Sequence, residues 1–472
     1  MRKILFAAIV ACLFLPAYGA FAQPGPDGKA LYGQYCAQCH GAELQGGNAQ
    51  SMLDGVWQFG EGKGYVARNI KHGITHLGMP AYESTLDDAQ IEAITDFILN
   101  AEKERGVTRP APPSEVQTLD YVVDVEQWVT DLEIPWGIAF PDERTALVTE
   151  RPGPLRIVKD GKLDPKPVSG TPEVVVEGQG GMLEVAVDPG YAENGWVYLA
   201  YSHGLTGGSE RVPSMTRIVR GKVENGAWTN EQVVFEAPRE SYLTGRVHFG
   251  CRIVFDDAGR LYFSIGDRGS QDMAQDLSVP NGKVHRVNRD GSIPADNPFV
   301  NTPGAMPSIF SYGNRNPQGL AWHSGDGLLW ANEHGPMGGD ELNAIRAGKN
   351  YGWPVITYGR NYNGTEVSSI RRKEGMEQPS FYWLPSIAVC GMDVYSGSQF
   401  PEWEGALLVG ALKYESVAVM QVDEDRVMHE EVILKNAGRV RQVVAGPDGA
   451  VYVLTNSPDA ILKLTKKSDR TY

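Results

Sequence analysis

The chain has 472 residues and a formal net charge of −15, with 55 Gly and 30 Pro. That length predicts about two or three domains, and the density of turn residues predicts a mostly β protein. The acidic balance excludes nucleic acid and an anionic membrane surface as partners, because both need a basic face.

At the N-terminus, Arg2 and Lys3 precede an apolar run from Ile4 to Leu15, and Ala20-Phe21-Ala22 offers a small-residue cleavage site before Gln23. This is the pattern of a signal peptide over residues 1–22. The run is too short to span a bilayer, and no later stretch is apolar enough. A periplasmic or secreted chain without a membrane span is therefore expected. Of the five cysteines, Cys12 falls in the signal segment and Cys36 and Cys39 in the motif that follows. Cys251 and Cys390 remain as a candidate disulfide in an oxidising compartment.

Residues 35–41 read YCAQCHG. The C-x-x-C-H spacing supplies two thiols for covalent haem attachment, Cys36 and Cys39, and presents His40 as the proximal iron ligand. Met79, in HLGMPAYE, is the candidate for the second axial position, with His72 and His76 as rivals. A thioether there raises the potential and suits an electron-transfer haem. After it, Asp87 and Asp88 open a helix to about Asn100, with Ile91, Ile94, Phe97 and Ile98 on one face. This layout resembles the small all-α class I cytochromes c, over residues 24–103. The segment EKERGVTRPAPPSEVQ is charged and then proline-rich, and predicts an interdomain linker over residues 104–119.

From Trp136 to the C-terminus one pattern recurs six times: an apolar stretch, a turn with Asp, Pro or Gly, and an alternating strand. Copies start at 136, 182, 250, 319, 391 and 442, for example MLEVAVDPGYAENGWVYLAY and RQVVAGPDGAVYVLTN. Each reads as a β-hairpin, and six such units predict a six-bladed β-propeller over residues 120–472. Loops at one end of the blades then converge, so residues far apart in sequence can share a pocket. Those loops carry Gln179, His248, Arg315 with Asn316, Lys413, and Arg439 with Arg441. Three of these cations, Lys413, Arg439 and Arg441, in equivalent loops imply a polyanionic small ligand. GQGGML is not a dinucleotide fingerprint, because no βαβ unit surrounds it.

The motifs GQGGMLEVAVDP, HFGCRIVF, YGNRNPQGLAW, EHGPMGGDELN, GKNYGWP, LPSIAVCGMDVY and GRVRQVVAGPDG occur in this order. Together, over about residues 134–464, they resemble the soluble quinoprotein glucose dehydrogenases and, more closely, their aldose sugar dehydrogenase relatives. Those enzymes use pyrroloquinoline quinone (PQQ). The resemblance implies that Lys413, Arg439 and Arg441 pair with the quinone carboxylates, while Gln179 and Asn316 bond its polar edge. Arg315 would polarise the reacting carbonyl, and Tyr362 would line the pocket. Main-chain oxygens of Gly335 and Pro336 would hold a calcium ion beside the cofactor, and Glu341 and Tyr351 a second one. His248 matches the catalytic base. The implied activity is oxidation of an aldose at C1 to a lactone, with electrons passed to the fused haem and on to an acceptor such as another cytochrome.

Two departures stand out. Val247 replaces an acidic residue that precedes the base in the glucose dehydrogenases, so the resemblance leaves His248 without that partner. Cys251 and Cys390 replace serines common in relatives, which reinforces the expected disulfide. Rival readings are a PQQ dehydrogenase of other aldehydes or alcohols, a calcium-dependent propeller lactonase, and a non-enzymatic sugar-binding propeller.

Overall fold

The computed structural model describes residues 25–55, 57, 62–74, 78–107, 111–205 and 211–470; the expected signal segment lies outside them. The chain divides into two compact units between residues 109 and 110.

The first unit is helical: α1 (Gly28–Tyr35), α2 (Ala37–His40), α3 (Lys63–His72) and α4 (Asp88–Glu104). Asp87 caps α4 reciprocally, its carboxylate accepting from Gln90 N at 2.8 Å while Gln90 Oε1 accepts from Asp87 N at 3.0 Å. The i, i+3, i+4 spacing of Ile91, Ile94 and Ile98 buries one face of α4 against Tyr32, Leu44, Val66 and Ile70. Each such side chain contributes about 1.5–3 kcal/mol. α1 crosses α4 at Gly28, where a Cβ would stand 2.0 Å from Ala93 O, so the close approach needs glycine. α4 runs one turn beyond its expected end.

In the second unit, β1 (Glu115–Gln117) and β2 (Tyr121–Val129) come first. Five four-stranded antiparallel sheets follow. Blade 1 is β3–β6 (Pro135–Asp142, Thr145–Glu150, Leu155–Lys159, Lys162–Leu163). Blade 2 is β7–β10 (Met182–Val187, Val197–Gly204, Ser214–Glu224, Ala227–Phe235). Blade 3 is β11–β14 (Ile253–Phe255, Leu261–Ile265, Lys283–Val287, Ile309–Tyr312). Blade 4 is β15–β18 (Pro317–His323, Leu328–Glu333, Asp340–Ile345, Phe381–Trp383). Blade 5 is β19–β22 (Val389–Val394, Leu407–Ala411, Ser416–Asp423, Arg426–Leu434).

The last blade contains β23–β25 (Arg439–Ala445, Val451–Asn456, Ala460–Asp469), completed on its outer side by β2 and β1. The first strand of each blade packs against that of the next, and β23 packs against β3, so the ring closes. This is the six-bladed propeller the repeats predict. Pairing β2 with β25 joins the two ends of the unit in one sheet.

The linker is shorter than expected at both ends. α4 continues to Glu104, and Glu115–Gln117 joins the last blade because Val116 packs on its apolar core.

Candidate functional site

In an antiparallel blade, the start of the first strand and the end of the second lie at the same edge. Gln179, His248, Arg315 and Asn316 immediately precede first strands, and Arg439 begins one. Asp267, Gly335 and Lys413 each stand two residues beyond a second strand. All of them therefore belong to one face of the ring.

The most connected part of this face lies between blades 3 and 4. His248 N donates to Gln179 Oε1 at 2.8 Å, and His248 Nδ1 lies 2.6 Å from Asp267 Oδ1. The other Asp267 oxygen accepts from Trp353 Nε1 at 2.9 Å, and Asp267 N donates to Arg315 O at 2.8 Å. The Val247 departure thus does not leave the base alone: its carboxylate arrives from the end of β12. Burial holds the His248 pKa below the ordinary imidazole value, outweighing the opposite pull of Asp267, and nearby Arg315 and Arg268 push the same way. Asp267 is held below the usual carboxylate range, since the bonds from His248 and Gly269 overcome its burial. At neutral pH the pair is a carboxylate and a neutral imidazole, with Nδ1–H donated to Asp267 and Nε2 left as the basic nitrogen.

Arg315 is buried. Its Nη1 donates to His334 O at 3.0 Å, and its guanidinium lies 5.4 Å from the Trp353 ring centroid. Glu333 fixes the main chain here, its Oε2 accepting from Arg315 N at 2.5 Å and Asn316 N at 3.3 Å. Asn316 Oδ1 accepts from Gly250 N at 3.2 Å, tying this segment back to the base loop.

Along the axis, each first strand or its leading residue supplies one side chain: Trp136, Glu184, Arg252, Gln318, Cys390 and Arg441. Arg252 bridges the ring, donating to Glu184 Oε2 at 2.6 Å and to Arg441 O at 2.5 Å, 4.1 Å from the Trp136 ring centroid. Arg441 Nη1 reaches Gln318 Oε1 at 3.4 Å and Cys390 Sγ at 3.5 Å. Its Nε is buried without a partner. Arg439 is exposed, and Lys413 is half-buried with its N–H on Ile387 O at 3.0 Å.

One expectation is corrected. Cys251 and Cys390 are both free and buried thiols. Cys251 packs in an apolar cluster with Leu183, Phe249 and Ile253, while Cys390 points to the axis, where Arg252 Nη2 approaches it at 3.7 Å. Cys251, with φ of 76°, turns its side chain into that cluster, and Arg252 after it meets Cys390 instead. Tyr362 is 65 % exposed. Tyr358 and Tyr382 stack at 4.1 Å between ring centroids, with Tyr358 against Gly339.

At the expected calcium positions, Gly335 N is held by Asp340 Oδ1 at 2.9 Å, and Pro336 O accepts from Ser386 Oγ at 3.3 Å. Glu341 is half-buried, and desolvation together with repulsion from Glu333 pushes its carboxyl well up. Asn343 Nδ2 is shared between Glu341 Oε2 (3.2 Å) and Glu333 Oε1 (3.3 Å). Asn314 Oδ1 and Asn343 Oδ1 beside them are buried without partners. Unpartnered hard oxygens next to a strained carboxylate pair are the donor chemistry of a cation such as calcium. The Tyr351 hydroxyl is engaged, donating to Ala344 O at 2.6 Å and accepting from Arg346 N at 2.9 Å. Its main-chain oxygen is then the donor left for a cation. Among the described residues, no three His, Cys, Asp or Glu side chains cluster as a metal site by themselves.

In the helical unit, Cys36 and Met79 pack against one apolar cluster, and His40 Nδ1 is buried without a hydrogen bond of good geometry. His72 pairs with Glu83 at 3.2 Å on the surface, and His76 lies outside the described residues. These positions fit a covalent haem.

The profile of the family described as glucose / sorbosone dehydrogenase matches residues 132–464. The chain belongs to that family. Residues 23–98 match the cytochrome c oxidase, cbb3-type, subunit III family, so the propeller is fused to a cytochrome c domain. Aldose sugar dehydrogenase YliI of Escherichia coli is 42 % identical over 352 residues, 73 % of this chain and 94 % of that protein. A solved structure of the PQQ-bound form of aldose sugar dehydrogenase from Streptomyces coelicolor aligns with a TM-score of 0.59 at 27 % identity, covering 75 % of this chain and 99 % of that one. Quinoprotein glucose dehydrogenase B of Acinetobacter calcoaceticus is 27 % identical over 411 residues, 70 % of this chain and 83 % of that protein. The chain is an oxidoreductase of the sugar dehydrogenase kind.

Sequence reading missed Asp267, Glu333, Glu184 and Arg252. The first had a signal: it occupies the same post-strand position as Gly335 and Lys413, both of which the motifs picked out.

Proposed function

We propose that the chain oxidises aldose sugars at C1 to lactones, using PQQ as first acceptor and the haem of its own N-terminal domain as the next. The observation that carries the reading is the buried His248–Asp267 pair bonded through its main chain to Arg315, on the face that also bears Lys413, Arg439 and Arg441. The cofactor named for the Streptomyces relative suits this donor set. Lys413, Arg439 and Arg441 would hold its carboxylates, and the unpartnered Nε of Arg441 is one donor ready for them. Gln179 and Asn316 would bond its polar edge, and Tyr362 would line the outer part of the pocket. Main-chain oxygens of Gly335 and Pro336 would hold one calcium ion, and Glu341 with the Tyr351 main-chain oxygen a second. Cys36 and Cys39 would carry the haem, with His40 and Met79 as axial ligands.

When bound, the quinone supplies a two-electron acceptor for the hydride that leaves C1. The chain supplies the rest. His248 Nε2 takes the C1 hydroxyl proton, because Nδ1 already gives its hydrogen to Asp267. Asp267 keeps the ring in that tautomer and stabilises the imidazolium that forms. Arg315 provides a fixed positive charge for the negative charge that grows on the acceptor. Tethering keeps the haem at high effective concentration. Export of the chain and a further cytochrome as electron acceptor complete the reading.

The test is reconstitution of the purified protein with PQQ and calcium, followed by product analysis over a panel of aldoses with a dye as terminal acceptor. Lactone from at least one aldose is expected. Binding of sugar without oxidation, or hydrolysis of lactones instead, would overturn it.

A further inference from the structure

We propose that Arg268 is a positioning residue that holds the His248 loop in register with Arg315; this rests on the base and polariser roles given above. Arg268 is 1 % exposed. Nη1 donates to Val247 O, Nη2 donates to Gly245 O at 2.6 Å, and both oxygens of Ser214 lie 3.3 Å from Nη2. Its guanidinium carbon lies 3.5 Å from the Phe249 ring centroid. One planar fork thus binds the main chain at two positions just before His248 and stacks on the residue just after it.

The loop needs such a hold. His248, Gly250 and Cys251 have φ of 57°, 65° and 76°. That is the left-handed region, which non-glycine residues avoid. A strained run of this kind persists only where the surroundings over-determine it. Arg268 also supplies the donors for the part-buried Val247 and Gly245 carbonyls, which would otherwise be unsatisfied.

Arg268 is an expensive choice for packing alone. Among the described residues its hydrogen bonds run only to main-chain carbonyls and one serine, with no carboxylate in ion-pair contact. A buried guanidinium without a paired carboxylate costs more than an apolar side chain of similar volume. What the charge and the fork add is geometry and field. Asp267, the preceding residue, binds the imidazole through its side chain and Arg315 O through its N–H at 2.8 Å. The Asp267–Arg268 pair therefore touches the base, the loop that carries it, and the polarising residue. Asp267, Arg268, Arg315 and His334 are the charged or titratable groups that act on the His248 ring. Of these, Asp267 favours the protonated ring and both arginines oppose it.

The experiment compares R268K and R268M with the parent in the full chain loaded with PQQ and calcium. R268K keeps the charge and loses the fork. Its kcat should fall by about 100-fold, the typical effect of displacing a catalytic group by an ångström. Its sugar KM and PQQ affinity should stay within about threefold of the parent. R268M should show the same loss of kcat and, in addition, an acid limb of kcat/KM shifted to higher pH. Titration of the His248 imidazole by NMR in protein without quinone should show a raised pKa in R268M and an unchanged one in R268K.

Turnover within about threefold of the parent in both variants overturns the proposal. A kcat loss matched by an equal loss of PQQ affinity and thermal midpoint also overturns it, because that marks a merely structural residue. A parent without sugar oxidation sinks the functional reading instead. The NMR titration then decides the positioning claim alone, and an imidazole pKa indifferent to R268M contradicts it.

Discussion

The two halves of the propeller site are built differently. Between blades 3 and 4, each side chain at the reacting end already has a protein partner: His248 has Asp267 and Gln179, Arg315 has His334 O, and Asn316 has Gly250. In the last blade, the two arginines are less enclosed by partners. Arg439 is exposed, and Arg441 keeps a buried Nε without a partner. Burial, together with repulsion from Arg439 and Arg252, lowers the Arg441 pKa. On the proposed reading the reacting half is preorganised before any ligand arrives, whereas an anionic ligand would complete the clamp half. Preorganisation is where rate comes from, and unpaired buried charge is where affinity for an anion comes from.

That contrast predicts that rate and cofactor affinity separate by blade. His248→Ala should lower kcat by about 10³-fold while PQQ still binds, as followed by absorbance titration. A similar loss of PQQ affinity would mean that the halves are not distinct. Arg441→Met should do the opposite, weakening PQQ by about 10–100-fold, the value of one or two charge-assisted bonds, with kcat at saturating PQQ close to the parent. The smallest effect is on pH. Because burial lowers the His248 pKa, the imidazole stays neutral below the ordinary value of 6.5 and protonates only at lower pH. The acid limb of kcat/KM should therefore fall below pH 6.5. Stability declines in the same direction: His334, pushed down to about 3 by burial, stays neutral in the fold while the unfolded chain binds its proton below about 6.5. An acid limb above 6.5 would show that Asp267 outweighs burial at the base.

Legibility followed the range of the signals. The C-x-x-C-H motif and the capped helix after it are local, so the cytochrome c domain could be recognised from short stretches. The propeller could be counted because the first two strands of each blade alternate cleanly; the copy starting at 182 begins where β7 does, and the other first strands begin within three residues of their copies. Outer strands were hidden. β6 has two residues, and β1 is a short polar segment next to a proline-rich stretch, which reads as linker until β2 pairs with β25. Asp267 and Arg268 lie in GDRG, which looks like any turn after a strand; their importance comes from the pairing of β11 with β12, which brings the end of β12 beside the His248 loop, and from the Asp267 N–H on Arg315 O. The disulfide failed for a related reason. Two cysteines in pocket-bordering motifs look paired, but the left-handed backbone at Cys251 turns that thiol into the core while Cys390 faces Arg252.

The central claim is that sugar electrons leave the propeller through the chain's own haem. Stopped-flow absorbance at the haem α band, after mixing PQQ- and calcium-loaded protein with an oxidisable aldose, tests it most directly. Haem reduction at a rate independent of protein concentration is the predicted result, since the acceptor is tethered. A haem that stays oxidised while an added dye is reduced, or a rate that rises in proportion to protein concentration, would contradict it.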